Sequence, residues 1–135
     1  MRIPTEPIGS IPRPASLIEA LARSHGDVDD AALAPLFDDA VRDTIARFEA
    51  TGSPVLTDGE PRKYHNFWDY CVHGLPNMAP DGFKIPFAAG HTRRMPRLTR
   101  GPFRYRLHAD RYLEVAKRYT QMPLKQAVIS PPPLP

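Results

Sequence analysis

Three short stretches hold the residues whose types and spacing suit ligand chemistry. They are Ile8-Gly9-Ser10-Ile11-Pro12, Thr57-Asp58-Gly59-Glu60-Pro61 and Ile129-Ser130-Pro131-Pro132. Gly9 lets a backbone amide approach a ligand closely. Ser10 offers an amide and a hydroxyl that can both donate to a carboxylate. Glu60 is a fixed negative charge able to pair with an ammonium group. An amino acid presents that pair of charges, so the pattern suits a zwitterionic or anionic ligand. Each stretch taken singly has a plainer reading, because Gly-Ser is a common turn and Asp-Gly-Glu a common strand exit. The weight comes from all three falling at corresponding places in the chain.

Those places are set by the elements before each stretch. Residues 3–9 read as a short irregular strand ending near Ile8, weakened by Pro4 and Pro7. Residues 14–24 predict a helix with Pro14 in its first turn. Leu17, Ile18 and Leu21 share a face, and Gly26 is a candidate stop. Residues 29–50 predict the clearest helix. Asp27 or Asp29 is its candidate cap, and Leu33, Leu36, Phe37, Ala40, Val41, Thr44, Ile45 and Phe48 line one side. Gly52 suits a left-handed end, and Pro35 is tolerable only near the start. Residues 54–58 predict a buried strand.

Residues 62–75 read as partly helical, with Tyr64, Phe67, Trp68, Tyr70 and Val72 as core. Residues 76–105 predict an irregular, hairpin-like excursion, in which Phe83-Lys84-Ile85 and Phe103-Arg104-Tyr105 each alternate in a strand-like way. Residues 108–120 predict a helix with Tyr112, Leu113, Ala116 and Tyr119 on one side, and residues 124–129 a third strand. The order is strand, helix, strand, helix, excursion, helix, strand. Such alternation argues an α/β fold with parallel strands and helical crossovers. In such folds the loops at the carboxyl ends of the strands carry function.

Composition narrows the classes. The 135 residues suit one domain at most, and no run approaches the ~18 apolar residues of a membrane span. The opening Met1-Arg2-Ile3-Pro4 has no apolar stretch of a signal peptide, so a cytoplasmic location with no membrane partner is expected. The single cysteine, Cys71, excludes an internal disulfide. The 17 prolines fall between periodic segments and read as loop punctuation. Arg93, Arg94, Arg97, Arg100, Arg104 and Arg106 cluster with Phe103 and Tyr105. Basic residues among aromatics can mark a nucleic-acid interface, but a solvated loop is the favoured reading, and no nucleic-acid partner is expected.

The opening Pro4-Thr5-Glu6-Pro7-Ile8-Gly9-Ser10-Ile11-Pro12-Arg13-Pro14 resembles the start of the catalytic barrel of the cobalamin-independent methionine synthases and their shorter relatives. So do Glu49-Ala50-Thr51-Gly52 before the second strand, Asp58-Gly59-Glu60 at its exit, Gly82-Phe83 in the excursion and Ser130-Pro131 after the third strand. The resemblance implies the first three strands of a truncated (β/α)8 TIM-type barrel over residues 1–135, with the excursion at 76–105 inside it. It implies transfer of a methyl group from a methyltetrahydrofolate donor to the thiol of homocysteine, without cobalamin. Ile8, Gly9, Ser10 and Glu60 would bind the amino-acid end of homocysteine, with Asp58 and Ser130 as further loop residues.

The family's zinc, which holds the substrate thiol as thiolate, is bound by a His-x-Cys pair, a glutamate and a further cysteine on later strands. None of these is expected within this chain. Cys71 and His73 stand in the reverse order and are assigned no metal, and His65 and His91 are assigned no role. The chain is therefore expected to be incompetent as an enzyme by itself. Its open strand edges are expected to favour self-association. The alternatives are a related barrel acting on another thiol, a non-catalytic amino-acid-binding module and a basic nucleic-acid binder.

Overall fold

The computed structural model describes residues 5–25, 31–63, 72, 74–79, 82–102, 104 and 107–128. The chain divides into two compact units, Met1–Arg62 with Ala109–Ala127, and Lys63–His108 with Val128–Pro135.

The first unit is built on helices. Helix α1 spans Ala15–Arg23. The Pro14 carbonyl starts it by accepting from the amides of Leu17 and Ile18 at 3.1 and 3.0 Å. It ends at Ser24, whose hydroxyl donates to Leu21 O at 3.1 Å, and His25 turns left-handed at φ 54°. The expected stop, Gly26, lies outside the described residues. The buried face is Leu17 and Ala20, with Leu21 packed beside them. Ile18 does not join it and is 53% exposed. Small Ala20 lies three residues after Leu17 and lets α1 approach its neighbour, which turns Ile18 outward.

A single 3-10 turn, Ala31–Leu33, leads into helix α2, Ala34–Ala50. Pro35 therefore falls in the first turn, where its missing N–H costs nothing. The expected caps Asp27 and Asp29 lie outside the described residues. Gly52, at φ 73°, closes the far end with its amide on Glu49 O at 2.9 Å. The α2 stripe feeds two cores. Leu33, Phe37 and Ala40 pack on Leu17 and Ala20 of α1. Val41 and Ile45 pack on Leu56 and on Ala116 of α3, which spans Asp110–Ala116. Phe48, Tyr119 and Leu124 lie against this second core. Burying each large apolar side chain fully contributes roughly 1.5–3 kcal/mol.

The three expected strands of this unit run alongside one another without forming regular ladders. Leu56 and Leu124 make an isolated parallel bridge. In it the Leu56 amide donates to Pro123 O at 2.9 Å, and the Lys125 amide to Leu56 O at 2.9 Å. Ser53 Oγ donates to Thr5 O at 3.4 Å, and Thr57 Oγ1 to Gly9 O at 3.1 Å. Partners advancing from 5 to 9 as 53 goes to 57 mean that the first two segments also run in one direction. Pro7, Pro54 and Pro123 each lack an amide donor, which keeps the ladders this short.

In the second unit, β1, Phe83–Pro86, pairs antiparallel with β2, Thr92–Met95. The excursion thus contains a hairpin, in which Phe83-Lys84-Ile85 pairs with Thr92–Met95, and Arg104 itself is not in a strand. The short link favours this pairing. A loop from Phe87 to His91, closed by Phe87 N on His91 O at 2.7 Å, brings Pro86 opposite Thr92. Phe103, Tyr105 and Arg106 lie outside the described residues, as do Tyr64, Phe67, Trp68 and Tyr70. Val72 is buried, as a core residue should be.

Candidate functional site at the ends of the parallel segments

The site grows from the places where the parallel segments of the first unit end. Thr57 and Asp58 are completely buried, at 0% and 1% exposure, and Glu60 follows at 6%. Buried polar groups must find partners, and these find them in the loops. Thr57 Oγ1 donates to Gly9 O and accepts from the Gly59 amide at 2.9 Å. Asp58 Oδ1 accepts from the Glu60 amide at 2.9 Å, an Asx turn that bends the chain back. The Ile11 amide donates to Gly59 O at 3.1 Å. Residues 9–11 and 57–60 are thereby locked together, although about fifty positions separate them in sequence.

Two glycines make that contact possible. Gly59 has φ 74°, and a Cβ there would lie 2.8 Å from Ile11 Cγ1 and 2.9 Å from Thr44 Cγ2. A Cβ on Gly9 would lie 2.8 Å from Glu60 Oε1. Thr44 is held in turn by its hydroxyl on Ala40 O at 2.8 Å, so α2 buttresses the loop. Glu60 itself is left-handed at φ 59°. A non-glycine residue there costs of order 1–3 kcal/mol and persists only where its surroundings hold it.

Each oxygen of the Glu60 carboxylate accepts from a side chain. The Ser10 hydroxyl donates to Oε2. The Gln126 side-chain amide, from the third parallel segment, donates to Oε1 at 3.2 Å. Gln126 Oε1 is buried and has no hydrogen-bond partner. The loop beyond is clamped from two sides. Arg13 Nε donates to Pro61 O at 2.8 Å, and Arg62 pairs with Asp38 of α2 while lying 5.0 Å from the centre of the Phe37 ring. Burial pushes the Arg13 guanidinium below its ordinary pKa, because the charged form loses hydration. Nearby, Lys125 Nζ and Glu6 Oε1 pair at 3.1 Å and tie the first segment to the third.

Of the residues singled out from sequence, Gly9, Ser10, Asp58 and Glu60 are brought together here. The Ile8 side chain is 89% exposed. Ser130, Cys71, His73 and His65 lie outside the described residues, and His91 is exposed in the hairpin loop. Among the described residues no three His, Cys, Asp or Glu side chains gather as a metal would require. Among them, too, no helix is long and apolar enough to cross a membrane. Thr57 was named only as part of its loop, and Gln126 only as part of the third strand. A lone amide in the otherwise strand-like run Leu124-Lys125-Gln126-Ala127-Val128-Ile129 was the available signal for the second.

No protein-family model matches the chain. A methionine synthase of Sulfurisphaera tokodaii is 46% identical over 63 residues, which are 45% of this chain and 18% of that protein. The chain thus matches less than a fifth of that relative's length, and over that stretch it is similar to a methionine synthase.

Proposed function

We propose that the Gly9-Ser10 and Asp58-Gly59-Glu60 loops bind the amino-acid end of homocysteine, in a protein of methionine synthesis that transfers a methyl group from a folate donor to the homocysteine thiol. The observation that carries this reading is the closure of Ser10 and Gly9 onto the Glu60 carboxylate. An ionised carboxylate has about four acceptor positions, and a ligand ammonium brings three donors to them. The Ser10 hydroxyl is already engaged with Glu60, so the Ser10 amide is the donor left for the ligand carboxylate. Thr57, Asp58 and the Arg13 and Arg62 clamps fix this arrangement before a ligand arrives, which lowers the ordering cost of binding. The partial likeness to a methionine synthase supports the choice of homocysteine over other amino acids. Three segments running side by side in one direction, with the site at their carboxyl ends, support a (β/α)8-type architecture.

Titration calorimetry of the full chain with L-homocysteine and L-methionine tests this. Saturable binding is expected, with Glu60→Gln weakening it at least about tenfold, the usual scale for losing a hydrogen-bonded charge partner. Equal binding by wild type and Glu60→Gln would remove the reading.

A further inference from the structure

Gln126 is one of two described residues with a buried polar atom left over. We infer that Gln126 is a second recognition residue for the ligand's ammonium group, accepting from it through Oε1 beside the Glu60 carboxylate. This rests on the amino-acid reading above and adds a residue that neither sequence pattern nor likeness assigns.

The orientation of the amide follows from chemistry. An ionised carboxylate only accepts, so the side of Gln126 facing Glu60 Oε1 at 3.2 Å must be its NH2. The carbonyl oxygen then points elsewhere, and there it is buried without a partner. A buried acceptor left unmade is costly, and native structures keep few of them. Arg62 Nε is the other such atom among the described residues, but its guanidinium already holds Asp38 and lies over Phe37. Gln126 Oε1 has no comparable explanation among the described residues. It is joined through a single carbon to the nitrogen that touches Glu60. A cation seated on Glu60 is therefore within reach of it.

An ammonium group fits both acceptors. It has three N–H donors and no acceptor, so it can serve Glu60 and Gln126 Oε1 together and satisfy the orphan. A neutral group lacks the charge that pairs with Glu60, and an anionic group would be repelled by both acceptors. Gln126 also holds the carboxylate from the side opposite Ser10's oxygen, so one residue both positions Glu60 and extends it. The arrangement selects α-amino acids over the corresponding desamino acids.

The test compares L-methionine with its desamino analogue 4-(methylsulfanyl)butanoate, by calorimetry on the full chain and on Gln126→Met. The substitution keeps side-chain length and removes both polar atoms. Wild type is expected to prefer L-methionine. Gln126→Met should bind L-methionine about 10- to 100-fold more weakly, the range for a hydrogen bond to a charged group, with the analogue unchanged. An equal loss for both ligands would show a structural role only, and no loss would show no role. Either overturns the inference and leaves the amino-acid reading standing. Failure of wild type to bind either ligand overturns both. Should the variant not fold, the Gln126 side-chain amide resonance of the wild type decides. It should shift on adding L-methionine and not on adding the analogue, and an unmoved resonance overturns the inference.

Discussion

The two units are held by different forces. The first is organised by burial. Phe37, Leu17, Ile45, Leu56 and Val41 are almost wholly inside, and the polar residues Thr57, Asp58 and Glu60 are buried among satisfied hydrogen bonds. The second is organised, over its described residues, by backbone pairing. Its strands are short and largely exposed, and an isolated antiparallel bridge joins Met78 and Leu98, with Ala79 N on Arg97 O at 2.8 Å. Phe83 and Phe87 are 46% and 55% exposed. The chemistry-bearing residues lie in the unit that can pay for burying them. A cluster such as Ser10, Glu60 and Gln126 needs a rigid, dry frame, and two apolar cores and a buttressing helix supply it.

The comparison can be broken most directly at two phenylalanines. Phe37→Ala should destabilise the first unit by about 3–5 kcal/mol, and Phe87→Ala should change stability by less than about 0.5 kcal/mol, both read from urea unfolding followed by circular dichroism. Equal effects would mean that the hairpin carries a core of its own. Next in size is Gly59→Ala, expected to cost at least about 1–2 kcal/mol through its left-handed backbone and to weaken amino-acid binding through Ile11 and Thr44. A variant with native stability would show that the loop relaxes freely. Hydrogen exchange sharpens the contrast, because amides of Val41 and Ile45 should be protected well beyond those of Phe83 to Pro86. The smallest effect concerns Lys84, which stands directly across from Arg94. Lys84→Glu should replace a like-charge pair and stabilise the hairpin by about 0.2–1 kcal/mol, seen as slower exchange at Arg94.

How much of this was legible in the sequence depends on which force acts. Apolar periodicity located α2 and its buried stripe within a few residues, because one face of a long helix must be inside. It misplaced Ile18, because the small residue Ala20 took the inward position. Glycine and acidic punctuation identified both loops of the site, since a left-handed turn at Gly59 leaves few alternatives. The described residues of the segments expected as strands at 3–9, 54–58 and 124–129 are joined by one bridge and side-chain links, where proline spacing leaves no regular ladder. The hairpin partner was missed because Thr92-Arg93-Arg94-Met95 carries little β-type hydrophobicity. Backbone geometry after Pro86, and not side-chain pattern, selected it. Gln126 was invisible for a related reason, since its meaning arises only from Glu60, which lies 66 residues away.

The central claim is that the buried Glu60, held by Ser10 and Gln126, is the seat of an α-amino acid. The most direct measurement is a crystal structure of the full chain with L-methionine. The account predicts the ligand ammonium within hydrogen-bonding distance of Glu60 and the ligand carboxylate on the Ser10 amide. An ordered L-methionine bound elsewhere, with the Ser10–Glu60 contact unchanged, would contradict it.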